Sequence, residues 1–206
     1  MSVERHGRAS RGWFTRFRAV LAGCLVLGVG GAVTLAAWTD EEHASGTFTA
    51  GEFNIEGSVD GTTFDQHPEG AAAELGFALP EATQMLPGTV VYAPFTVRTT
   101  EGSVAGAVTF TASSANSSGL GEYLTYGVAQ VTGTACDEDS FAAGTSLVPT
   151  GSSLTTSADT YQELPAAAED PVTYCLRVEL PSDTPNAAQG AALEASWAVA
   201  ATTDTQ

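Results

Sequence analysis

Lysine is missing from the 206 residues, and five of the seven basic residues (Arg5, Arg8, Arg11, Arg16 and Arg18) precede position 19. Beyond Ala37 only Arg98 and Arg177 stand against 23 acids, a formal balance of −21. Phosphate backbones are held by clustered cations that displace counterions, and two isolated arginines form no such cluster, so nucleic acid is excluded as a partner. An anionic membrane surface is excluded on the same ground. The acidity reads as a solvated, mutually repelling surface, and one so crowded with carboxylates is expected to respond to calcium or to acid.

Histidine is almost as scarce. His43 and His67 are the only histidines beyond the amino-terminal stretch, and neither belongs to an H-E-x-x-H zinc motif. None of the many serines sits in a G-x-S-x-G elbow. No catalytic residue, resident metal or cofactor is therefore assigned. "DEDS" at 137–140 and "DGTTFD" at 60–65 carry oxygen ligands but lack the spacing of a calcium loop, and both read as solvated turns. "NSS" at 116–118 has the form of a glycosylation sequon, a short pattern of little weight by itself.

There is one long apolar run. Arg-rich "RGWFTRFR" leads into "AVLAGCLVLGVGGAVTLAAW" and then abruptly into "TDEEH", the order of an export signal. The alternative is an uncleaved anchor, since residues 19–38 match a hydrocarbon core roughly 30 Å thick. Either reading places the remainder outside the cell, with the membrane touched only through the uncleaved signal. "LAGC" at 21–24 matches the lipoprotein pattern, but the stretch between Arg18 and Cys24 is too short for the usual apolar region. Removal of the signal leaves Cys136 and Cys175 in a compartment where thiols oxidise, so a disulfide is expected. Its closure is worth roughly 3 to 4 kcal/mol in the simple loop-entropy picture. A metal site lacks the paired Cys or His spacing.

Long amphipathic helices are hard to find, although "PNAAQGAALEA" allows a helical turn. Past the signal the chain shows period-two segments separated by Gly, Pro, Ser and Asp. "PVTYCLRVEL" puts Val172, Tyr174, Leu176, Val178 and Leu180 on one face, with Cys175 on the less apolar face or at a strand edge. "SVAGAVTFTA" groups Val104, Val108, Phe110 and Ala112; "VVYAPFTVRT" groups Val91, Ala93, Phe95 and Val97. Pro94, lacking an N–H, predicts an edge or a bulge. "ALEASWAVAA" groups Leu193, Ala195, Trp197 and Val199, with the tryptophan read as core. "GTFTAGEFNIEG", "ELGFAL" and "EYLTYGVAQV" are shorter strand candidates; "SVDGTTFDQHPEG" and "TSLVPTGSSLTTSAD" read as loops. So many short strands predict an all-β antiparallel sandwich with one core.

"GVGGAVTLAAWTDEEHASGTFTAGEFNIEGS", together with "LPGTVVYAPFTVRTTEGSVAGAVTF", resembles the TasA and camelysin family of secreted bacterial proteins exported through the SipW signal peptidase. The first stretch carries an A-[FW]-x-D element, Ala37, Trp38 and Asp40, and then a strand pattern matched by Phe48, Ala50, Gly51, Phe53, Asn54 and Ile55. The second carries Pro87, Gly88, Phe95, Val97, Gly102 and Ser103. The resemblance implies cleavage between Ala37 and Trp38, whereas the plain small-x-small rule cuts after Ala36.

The same resemblance implies a jelly-roll-like β-sandwich over 38–206 after a signal over 1–37, and a surface or extracellular-matrix structural role, including biofilm fibres. Assembly would proceed by strand donation, with Phe48, Phe53 and Ile55 as anchors of the donated segment; the alternative keeps that strand in its own subunit. The expected partners are a signal peptidase during export and further copies of the chain. Two departures stand out: the chain is shorter and more acidic than the fibre formers, and its cysteine pair is outside the family pattern. A monomeric surface module for carbohydrate or calcium, with Tyr123, Phe141 and Tyr161 as loop contacts, is the alternative function. A secreted metalloprotease ranks last, without a zinc motif. No sorting motif or carboxyl-terminal apolar tail predicts a covalent wall anchor.

Overall fold

The computed structural model describes residues 11–33, 42–77 and 82–203. The chain divides into two units, Met1–Phe48 and Thr49–Gln206. The first contains helix α1, Arg11–Val33, which opens with the arginines and continues into the apolar run. Among the described residues no helix is long and apolar enough to cross a membrane. The Ala36, Ala37 and Trp38 cleavage candidates lie outside the described residues.

The second unit is mostly β, with two antiparallel sheets. Its strands are β1 (Ile55–Ser58), β2 (Val90–Thr99), β3 (Gly106–Ala112), β4 (Thr125–Val131), β5 (Thr145–Ser153), β6 (Tyr161–Leu164), β7 (Val172–Glu179) and β8 (Trp197–Thr202). One sheet runs β1-β2-β7-β4-β5 and the other β6-β3-β8. They face each other in a sandwich-like arrangement. Phe110 of β3 meets Tyr174 of β7 with ring centroids 5.3 Å apart, and Trp197 of β8 meets Tyr126 of β4 at 6.2 Å.

The inward face of β7 follows the alternation, since Val172, Tyr174, Leu176, Val178 and Leu180 are all buried. Val91, Ala93 and Val97 of β2 are buried beside them, and Val108 and Phe110 face them from the smaller sheet. Leu193, Ala195, Trp197 and Val199 pack together on this core as partly buried side chains, so Trp197 is a core residue. At roughly 25 cal/mol per Å² of apolar surface removed from water, such a cluster is the main source of fold stability.

Several expectations are corrected. β7 is central, so of the two placements open to Cys175 the strand edge falls away, and the less apolar face is itself covered, with Thr173 and Cys175 buried. Val104 precedes β3 and is exposed, because the strand begins only at Gly106. Of "GTFTAGEFNIEG" only the last three residues, 55–57, join a strand, β1, and the described part of "ELGFAL", residues 74–77, forms none. "TSLVPTGSSLTTSAD" contributes β5, a strand on the sheet edge, where its serines, threonines and Pro149 face water. "DEDS" opens a short helix, α2 (Glu138–Ala143), and "PNAAQGAALEA" forms a single 3-10 turn at Asn186–Ala188.

Pro94 keeps its edge character although β2 is flanked on both sides. β1 pairs only with Thr96–Thr99, so at Pro94 the strand faces β7 alone. Gly88 (φ +91°) makes the turn that launches β2, in a left-handed conformation that side chains disfavour, and its N–H donates to Leu180 O at 2.7 Å.

Candidate functional site

The larger sheet carries cover on its outer face. Asp137 caps α2: its carboxylate accepts from Ser140 N at 2.8 Å, while Ser140 Oγ accepts from Asp137 N at 2.8 Å. This reciprocal capping box holds the Asp137 carboxyl below its ordinary pKa, chiefly through the Ser140 backbone N–H. One residue earlier, Cys136 is bonded to Cys175 on β7. The bridge lies on the less apolar face of β7, as the alternation predicts, but at the centre of the sheet. Ala129, Val131 and Cys175 form a second small core there, with Phe141 of α2 and Tyr92 of β2 packed on it.

A groove of about 400 Å³ opens beside this cover. Tyr92 and Gly127 flank Arg177 from the two neighbouring strands. A Cβ at position 127 would lie 3.1 Å from the Phe141 ring, so the glycine lets that ring settle close to the sheet. Phe141 and Tyr92 meet edge to face, centroids 6.1 Å apart. Glu138 and Thr150 complete the polar lining. Arg177 Nη2 pairs with Glu179 Oε2 at 2.8 Å, whereas Nη1 is buried with no hydrogen-bond acceptor among the described residues.

The other arginine of this unit is fully engaged. Arg98 Nε donates to Glu56 Oε1 at 2.7 Å across the β1–β2 pair, and the guanidinium lies 3.9 Å over the Phe64 ring. The loop that supplies Phe64 is organised by Asp60, which accepts from Ser58 Oγ (2.8 Å), Thr62 N (2.7 Å) and Thr63 N (2.7 Å). Those donors, Thr63 N first, push the Asp60 pKa well below the carboxylate range. "DGTTFD" is thus a structural turn.

The candidate donor anchors are placed separately. Ile55 starts β1 and pairs with Thr99 of its own chain. Phe53 lies over Gly106, where an added Cβ would come within 2.5 Å of its ring. Phe48 is 95% exposed. Ser103 fastens this segment to the domain, accepting from Asn54 N at 2.6 Å. The three aromatics of the binding-module reading also separate. Only Tyr161, on β6, is well exposed; Tyr123 packs against the core and Phe141 stands on α2 in the groove.

Asn116 of the sequon is completely buried. Its Nδ2 donates to Leu154 O and Ser196 O at 3.2 and 2.8 Å, and its Oδ1 accepts from Ser196 N at 2.9 Å. The side chain is a clasp with its amide already used. His67 is exposed, and among the described residues no three His, Cys, Asp or Glu converge as a metal would require.

The groove was missed in the sequence because its residues come from β2, β5, β7 and α2. The one signal available was the pairing of a rare arginine with a cysteine two residues away on a strand otherwise read as half solvated. No protein-family model matches the chain, and no curated protein is significantly similar to it.

Proposed function

We propose that this chain is an exported structural protein of the bacterial surface or extracellular matrix, TasA/camelysin-like in its jelly-roll-like topology and in its dependence on a SipW-type signal peptidase. It acts without catalysis or cofactor and works by assembling with copies of itself. The observation that carries the reading is the Cys136–Cys175 bridge on the central strand, a bond that belongs to an oxidising compartment. The arginine-led helix α1 supports it as the signal.

The exposed Phe48 ring and the short edge strand β1 support assembly. β1 holds only four residue pairs with β2. Transfer of this segment to the next subunit keeps the same main-chain bonds while creating an open, head-to-tail contact. The acidity opposes the contact until salt, calcium or acid screens it.

The test is expression of the full chain in a bacterium with and without a SipW-type peptidase. Mass spectrometry of the released product reads the new amino terminus, and sedimentation follows assembly across concentration, calcium and mildly acidic pH. Cleavage after Ala37, or after Ala36, and large species that disappear when Phe48 and Phe53 are replaced by serine are the expected results. A chain retained uncleaved in the cytoplasm overturns the export reading. A monomer under every condition overturns assembly and leaves a monomeric surface module.

A further inference from the structure

We infer that the groove between α2 and the outer face of the larger sheet is a binding site for a neutral saccharide unit. The inference begins with Arg177. Its side chain is 16% exposed, one nitrogen is paired to Glu179, and the other is buried without an acceptor. A buried donor left unpaired is unfavourable, and native structures rarely keep one without a reason such as a bound group. Arg177 itself lines the groove.

Charge decides the class of ligand. Glu179 already neutralises the guanidinium, Glu138 adds a carboxylate to the lining, and the chain beyond Ala37 is strongly acidic. A carboxylate or phosphate would meet net repulsion, whereas a neutral polyol would not. A sugar ring offers ring and hydroxyl oxygens to Arg177, hydroxyl protons to Glu138, and an apolar C–H face to the rings of Tyr92 and Phe141. A cleft of about 400 Å³, with two aromatic residues in a lining that is otherwise shared between polar and apolar side chains, falls in the size range of small-ligand sites. The capping box and the disulfide fix α2 from its amino-terminal side, so the walls are formed before a ligand arrives.

This inference does not depend on assembly, since binding is read on the monomer and assembly by sedimentation. The experiment is saturation-transfer NMR and calorimetry on the oxidised full chain with maltose, cellobiose and N,N′-diacetylchitobiose as neutral probes and digalacturonate as the charged one. Binding of at least one neutral probe is expected, with digalacturonate weaker. Phe141→Ala and Glu138→Gln should each weaken binding about tenfold, the effect of one lost good contact. Tyr161→Ala, on exposed β6, should leave it unchanged. Glu138 is exposed, so its variant keeps the test valid if Phe141→Ala fails to fold. Absence of binding by every probe overturns the inference, as does preference for digalacturonate or full affinity in a folded groove variant.

Discussion

Cys136 and Cys175, with Cα atoms 5.2 Å apart, tie the residue ahead of α2 to the middle strand of the five-stranded sheet. The bond closes a loop across a sequence separation of 39 and fixes the cover on an otherwise open sheet face. Reduction, or the double variant Cys136→Ala/Cys175→Ala, is expected to cost about 4 kcal/mol in the loop-entropy picture. Denaturant unfolding of oxidised and reduced protein checks the cost. Limited proteolysis at residues 132–144 should show that the reduced form is cut first in this segment.

Asn116 should behave as a core clasp. Asn116→Ala leaves Leu154 O and Ser196 N without the Asn116 partner and Ser196 O with Ser113 N alone, and the expected loss is about 2 to 3 kcal/mol. Thermal unfolding measures it. Expression in a glycosylating host should yield an unmodified Asn116, read by peptide mass spectrometry, because its amide is buried.

The Asp60 turn gives an acid-sensitive feature whose sign follows from its depressed pKa. The turn is favoured above the ordinary aspartate pKa of 3.8 and loses that support as pH falls below it, toward the lower folded value. The Asp60 carboxyl should therefore titrate below the other exposed aspartates in NMR. Loosening of the 58–63 loop at acid pH should be reproduced at neutral pH by Asp60→Ala.

At the alkaline end, burial raises Tyr126 to about 12 and Tyr174 further still. The unfolded chain ionises first, near the ordinary value of 10.0, so stability is intact below that pH and declines as pH rises through the folded value. Ultraviolet titration should show these two phenols ionising together with unfolding. Tyr174→Phe, which removes the donor to Gln162 Oε1, should cost about 1 kcal/mol.

Ala167 and Ala168 hold left-handed backbone, φ 57° and 61°, in the loop between β6 and β7. Thr99 Oγ1 donates to Pro165 O and accepts from Ala168 N, and Ser103 O accepts from Ala167 N, which anchors the loop. Since that region costs roughly 1–2 kcal/mol for a side chain, Ala168→Gly should stabilise by about 0.5–1 kcal/mol. A rise in thermal midpoint checks it; a fall shows that the backbone carries no strain there.

The amino-acid sequence by itself determined the class of fold, because period-two alternation reports directly on which side chains leave water. Val172, Tyr174, Leu176, Val178 and Leu180 could be assigned to one buried face without coordinates. The cysteine pair was legible for a similar reason: once Cys24 is set aside with the apolar run, two thiols remain. Only the tertiary structure decided what lies on the second face of β7. Cover by α2 depends on Asp137 capping a helix too short to read, and on Cys136 reaching a strand 39 positions away. β5 was hidden because an edge strand needs no apolar alternation, and Asn116 because three polar contacts from distant segments made a core residue of it. The groove follows the same logic: Tyr92, Phe141, Thr150 and Arg177 share no local pattern, and only the packing of β2, β5 and β7 under α2 brings them together.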